Sequence, residues 1–312
     1  MEMFGFALAV TGPTFLWVLL GLVVNRIGWF TEDLNRISSL VVFRVGLPVV
    51  LFFGAARVNY LQISHASYLV AGMVATLAVV LLAEFYGRLR RVERGDRAVF
   101  VQAAYRSNLG VIGIALAAEA YGSEGLALAA LPVALMTVLY NLIAVPLLDY
   151  GYGRKLSPGN LLRGIVTNPL IVAIAAGILV SLLGLPLSYG FKRLGVSLSA
   201  VMIPLALVCI GASMDLRALR GSRRLTVDAT VWRLLLAPLV GVSIALMLGV
   251  HGAELAVLFL LLASPAAAAS YIMVAAVGGN TALAANIVVI STLFSSLSIT
   301  LGLATLQWAG LV

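Results

Sequence analysis

The sequence predicts an all-α polytopic membrane protein, with ten transmembrane helices arranged as two inverted five-helix repeats. Three observations carry that prediction. The 312 residues are 62% hydrophobic and only 10% charged, with a mean hydropathy of +1.10, whereas soluble domains are about half apolar and a quarter charged. Ten apolar segments each approach or exceed the ~20 residues that cross a bilayer. Motifs of the first half recur in the second at a nearly constant offset.

The spans, in order, are 4–25, 34–56, 66–87, 97–121, 124–148, 161–184, 190–213, 226–249, 253–278 and 281–308. The joints are short and carry Gly, Pro, Asn and Arg, as turns do. Met1-Glu2-Met3-Phe4 lacks a basic leader and the first apolar segment is too long for a signal peptide, so it is read as a span. Basic residues in the joints set the orientation. Arg26, Arg36, Arg88, Arg90, Arg91, Arg94, Arg97, Arg154, Lys155, Arg163, Arg217, Arg220, Arg223 and Arg224 follow odd-numbered spans, against Arg57, Lys192 and Arg193 on the other side. That bias places the first set in the cytoplasm and both termini outside. The net charge of +8 is then topology and contact with anionic lipid, not nucleic-acid binding. Cys209 is the single cysteine and there are two histidines, so neither a disulfide nor a metal centre is expected. No cofactor is expected either.

The halves, 1–150 and 151–312, repeat. Thr11-Gly12-Pro13 answers Thr167-Asn168-Pro169, and Leu47-Pro48 answers Ile203-Pro204, both at an offset of 156. Gly54-Ala55 answers Gly211-Ala212, Ser107 answers Ser264, and Tyr121-Gly122 answers Gly278-Gly279, all at 157. Five spans per half is an odd number, so the second half inserts upside down. Such inverted repeats place a binding site near the midplane between them.

Two breaks mark that site. Span 4 is interrupted by Tyr105-Arg106-Ser107-Asn108-Leu109-Gly110, and span 9 by Ala263-Ser264-Pro265-Ala266. Each lies about ten residues in, near mid-membrane at ~1.5 Å per residue, where broken backbone is tolerated only inside protein or beside water. The breaks are read as facing halves of one site, with broken helices 4 and 9 crossing at mid-membrane; the alternative is ordinary kinks. The second half-helices start near Leu109 and Ala266. Their unpartnered N–H groups carry partial positive charge and favour a carboxylate. Ser107, Asn108, Ser264 and Ser270 add neutral hydrogen bonds.

Arg44, in span 2, either holds a carboxylate or snorkels to the cytoplasmic face. Arg106 either meets substrate or pairs with Glu119 or Glu84. Arg233, five residues from Asp228, is read as a structural or surface feature. Tyr140-Asn141 places a polar pair in span 5. Asn286 heads a stripe of Ser291, Thr292, Ser295, Ser296 and Ser298 in span 10. Most of that stripe is read as helix packing, and Asn286 stays a candidate. No nucleophile–base pair shares one depth, so an enzyme is not expected.

Several pieces resemble the auxin efflux carrier family in its bacterial malate-permease-like branch. They are Leu47-Pro48, Tyr105 through Gly113, Tyr140-Asn141, Asn168-Pro169-Leu170-Ile171, Ile203 through Leu207 with Ile210-Gly211-Ala212-Ser213, Ala263-Ser264-Pro265, and the run from Gly278-Gly279 to Leu293. The resemblance covers nearly the whole chain. It implies a relative of the bile acid:sodium symporters, with helices 4 and 9 as a broken cross. Helices 1, 2, 6 and 7 would form a scaffold domain, and helices 3–5 and 8–10 a transport domain that moves like an elevator. It implies organic-anion substrates and the bacterial inner membrane. Two departures stand out. Leu262 to Ala276 contains no acid and no amide, where sodium-coupled relatives place such groups. The fourth-helix break has Ser107-Asn108 where plant carriers have proline.

The sequence thus predicts a secondary transporter of a small carboxylate. Asn108 and the half-helix ends would bind the carboxylate, Arg44 or Arg106 would supply charge, and Pro265, Ser270 and Tyr271 would shape the pocket. A homodimer would suit an elevator. A sodium-coupled, bile-acid-symporter-like carrier is the alternative within the fold. A cation:proton antiporter would need buried carboxylates that are missing near the breaks. A non-transporting sensor or scaffold is the alternative of another class, but the cytoplasmic joints offer a partner little surface.

Overall fold

The computed structural model describes residues 2–57, 66–155, 159, 162–163, 166–214 and 224–312. Among them the chain is built of helices. They are α1 (Glu2–Arg26), α2 (Glu32–Val41), α3 (Leu47–Ala56), α4 (Ser67–Leu89), α5 (Arg94–Tyr105), α6 (Ile114–Gly151) and α7 (Pro169–Leu182). They continue as α8 (Tyr189–Ala212), α9 (Arg224–Val231), α10 (Ala237–Met247), α11 (Gly252–Ala263), α12 (Ala268–Ala276) and α13 (Thr281–Trp308). Among the described residues, seven helical stretches are long and apolar enough to cross a membrane, and α7 and α11 are shorter apolar helices. The start of the span expected at 161–184 lies outside the described residues.

Local chemistry sets the boundaries. Thr31, Asn168, Ser188 and Asn280 accept hydrogen bonds from first-turn amides and so start α2, α7, α8 and α13. The expected joint between spans 4 and 5 is Gly122, non-helical at φ 56° and ψ −130° inside an otherwise continuous helix. Only glycine adopts that backbone freely.

Among the described residues three five-residue π-turns interrupt the helices: Val42–Gly46, Leu109–Gly113 and Trp232–Leu236. The first and third each precede an Xaa-Pro pair, Leu47-Pro48 and Ala237-Pro238. Proline has no N–H to give the carbonyl four residues back. The helix absorbs that loss by widening: Leu47 N–H bonds the Val42 carbonyl and Ala237 N–H bonds that of Trp232, five residues back in each case.

The helices pack in two groups. In one, α1 lies on α8, and α3 on α7 and α8. The α1–α8 contact is close because a Cβ on Gly21 or Gly211 would run into the facing backbone of Val208 or Val18, the small-residue packing that membrane helices use. In the other, α4 packs on α5, α6 and α10, and α13 packs on both α11 and α12. The groups join where α1 meets α13 and α3 meets α6; there Thr11 Oγ1 and Thr300 Oγ1 are 2.6 Å apart.

The basic joints are bonded to one another at their ends. Asn280 Nδ2 donates to Asp96 Oδ1 at 2.9 Å, the Asn280 amide to Tyr152 Oη at 3.0 Å, and Arg154 Nη1 to the Ala276 carbonyl at 2.6 Å. Those bonds tie the first turn of α5, the chain just after α6 and the turn between α12 and α13. Asn35 Nδ2 to Ser213 Oγ, at 2.9 Å, ties α2 to the end of α8.

Candidate functional site

Two helices end in mid-course and meet. α5 stops at Tyr105 and helical backbone resumes at Leu109; α11 stops at Ala263 and α12 begins at Ala268. In the gaps the chains run antiparallel, with Ser107 bridging Ala266. Asn108 N–H donates to the Pro265 carbonyl at 2.7 Å, and Ala267 N–H to the Arg106 carbonyl at 3.0 Å. Each break therefore satisfies the other's backbone, as buried peptide groups require. Pro265 cannot donate, and here it only accepts. Ala266 N–H goes to Ser291 Oγ on α13 at 3.1 Å, and Ser264 Oγ folds back to the Leu260 carbonyl at 2.8 Å.

Arg106 sits in the gap and is only 7% exposed. Its Nη2 donates to Asn141 Oδ1 at 3.1 Å, and its guanidinium carbon lies 5.9 Å from the centroid of the Tyr140 ring. Nε and Nη1 have no hydrogen-bond partner among the described residues. Tyr140 is itself buried; its Oη lies 3.0 Å from Ser107 Oγ, and its carbonyl accepts from Tyr105 Oη at 3.2 Å. The Asn108 side chain is half-buried and caps nothing. Ser270, in the first turn of α12, is buried with its hydroxyl unpartnered.

The expected pairing of Arg106 with Glu119 or Glu84 does not form. Glu119 is exposed, and Glu84 pairs with Arg88 at 2.7 Å and Arg97 at 3.1 Å. Among the described residues the remaining ion pair is Arg36–Asp33, so no carboxylate balances Arg106.

Arg106, Ser107, Asn108, Leu109, Tyr140, Asn141, Pro265 and Ala266 are thus joined by direct bonds, with Gly110 and Ser264 adjacent in the chain and Ser270 in the first turn of α12. Gly110 edges toward the first helix group, since a Cβ there would lie 3.1 Å from Leu170 Cδ1 in the first turn of α7. Tyr271 is 43% exposed. Asn286 is buried on α13 without a hydrogen bond to the crossing. Arg44 is exposed, on a π-turn that packs against α7 and α8, and takes no partner at the crossing.

Arg233, read from the sequence as a structural or surface feature, is not at the surface. It does not pair with Asp228, which accepts from Tyr86 Oη at 3.1 Å. Instead it has 0% exposure. Its Nη1 donates to the Ala104 carbonyl at 3.0 Å and its Nη2 to that of Leu262. The available signal was angular: positions five apart on a helix diverge by ~140°, so Asp228 was never on its face.

A cavity of about 380 Å³, lined by Arg88, Arg94, Arg97, Glu84 and Tyr150 among others, opens at the ends of α4, α5 and α6. None of the crossing residues lines it.

A family model described as membrane transport protein matches residues 10–303. An uncharacterised transporter of Methanothermobacter thermautotrophicus is 27% identical over 288 residues, covering 91% of this chain and 93% of the relative. Another uncharacterised transporter, from Methanocaldococcus jannaschii, is 23% identical over 305 residues, covering 91% and 96%. A Rhizobium meliloti protein provisionally named a malonate transporter is 26% identical over 228 residues, covering 70% of this chain and 69% of that protein.

Proposed function

The chain belongs to the membrane transport protein family, that of the auxin efflux carriers, and on that premise we propose that it is a secondary transporter of a small organic anion. The substrate class is a malonate-like dicarboxylate, moved by alternating access around the crossing.

One observation carries the reading. Arg106 is buried where the two breaks meet, has two unpartnered nitrogens, and faces no carboxylate among the described residues. Leaving a charge unbalanced away from water costs several kcal/mol, and charges inside membrane spans mark substrate pathways. A carboxylate forms strong charge-assisted bonds with such N–H groups. The half-helices starting at Leu109 and Ala268 add partial positive charge, and the unpartnered Asn108 side chain adds neutral donors and an acceptor. The name of the Rhizobium meliloti relative points to the same substrate class.

The two helix groups support an elevator. The group of α1–α3, α7 and α8 would be the scaffold, and the remainder, carrying the crossing, would slide along it. The ten spans would be two inverted repeats of five, each supplying one broken helix. The arginine-rich joints would face the cytoplasm and both termini the opposite side.

The test is thermal unfolding of the purified full chain with malonate, malate or neutral malonamide. A ligand at a hundred times its Kd stabilises by ~2.7 kcal/mol. Malonate is expected to raise Tm in the wild type and not in Arg106→Gln. Equal stabilisation by malonamide, or an undiminished shift in Arg106→Gln, would overturn the reading.

A further inference from the structure

We infer that Arg233 sets the sign of charge that the crossing accepts, an inference that rests on the anion-transport reading above. Four helix ends meet at the crossing. Those at Leu109 and Ala268 are N-terminal and carry partial positive charge; those at Tyr105 and Ala263 are C-terminal and carry partial negative charge. Left alone, the four nearly cancel, and the charge of Arg106 is the one term left to favour an anion.

Arg233 removes the cancellation. Ala104 is the penultimate residue of α5 and Leu262 that of α11. Both of their carbonyls would be orphaned by the breaks. One guanidinium takes both, Nη1 to Ala104 and Nη2 to Leu262. It reaches them from the π-turn Trp232–Leu236, whose widened backbone precedes Pro238. Among the described residues no carboxylate pairs with it. The two negative ends are covered by a full positive charge, and among the described residues no carboxylate covers the two positive ends. With 0% exposure Arg233 touches no substrate. It is a positioning residue that acts through the field of the half-helices.

The experiment compares Arg233→Lys and Arg233→Gln with wild type, using malonate and malonamate. The second ligand keeps the skeleton and replaces one carboxylate by a neutral amide. A lost charge acts on ligand charge in proportion. Arg233→Gln is therefore expected to weaken malonamate on the order of tenfold and malonate on the order of a hundredfold. Arg233→Lys, which keeps the charge, is expected to hold both within about threefold of wild type. A purely structural role would weaken both ligands by the same factor and leave Lys no better than Gln, and that outcome overturns the inference. Arg233→Met, similar in length and neutral, replaces the glutamine variant if the latter does not fold. A wild type that binds no anion would overturn the transport reading too. A wild type that binds malonate, with equal losses in the variants, overturns the sign filter alone.

Discussion

Two stretches of this chain share a local device and put it to opposite uses. Val42–Gly46 and Trp232–Leu236 are π-turns ahead of Leu47-Pro48 and Ala237-Pro238, and each carries an arginine. Arg44 is exposed and has no partner among the described residues; Arg233 is wholly buried and holds two carbonyls. The backbone is alike, so the neighbours make the difference. The first turn packs on α7 and on α8, where Gly46 meets Met202 in mid-helix rather than at a helix end. The second packs on α5 and α11, which stop there and leave acceptors unbonded. A buried cation follows the supply of orphan acceptors, and broken helices provide it.

The largest effect should come from emptying the second turn. Arg233→Met leaves two buried carbonyls unpartnered at ~1–3 kcal/mol each, offset in part by relief of a desolvated charge. A net loss of about 2 kcal/mol or more is expected, read as a fall in Tm without ligand. No fall would mean that water or backbone relaxation satisfies the carbonyls, and the contrast between the turns would lose its cause.

Arg106→Gln should separate binding from stability. Among the described residues its guanidinium donates one hydrogen bond to a side-chain acceptor, that to Asn141, so little folding energy depends on it. A charge-assisted bond to ligand is worth ~1.5–3 kcal/mol, or about ten- to a hundredfold in Kd. Malonate affinity is expected to fall by that factor while Tm without ligand holds or rises. Asn108→Ala is the milder relative. Its side chain caps nothing, so Tm should hold, and a neutral hydrogen bond of ~1 kcal/mol predicts about a fivefold loss of affinity by calorimetry.

Much of this was legible in the residues. Hydropathy marked the apolar stretches, and an arginine, an asparagine and a proline in mid-span marked both breaks. Arg106 and Ala267, and Asn108 and Pro265, now bond across them. Arg233 was hidden because its acceptors are backbone carbonyls, which no side-chain pattern displays. Ser291 was hidden among similar hydroxyls of α13, and only its register brings it to the Ala266 amide. Arg44 drew attention by its depth in an apolar run, a property that does not say which way a side chain points.

The smallest effect should be at Arg44. The ten residues of α2 ahead of its turn include Glu32, Asp33 and Arg36, and none of them is buried. That half of the span is therefore suited to the interface rather than the hydrocarbon. Arg44 enters about two turns deeper than Arg36, at ~1.5 Å per residue, within reach of the headgroups for a snorkelling side chain. Arg44→Met should then change Tm by no more than ~0.5 kcal/mol equivalent, as surface substitutions do, and leave malonate affinity unchanged. A gain of ~2.5 kcal/mol or more in lipid would instead place Arg44 at the bilayer centre. A tenfold loss of affinity would bring it into the substrate path and dissolve the contrast between the two turns.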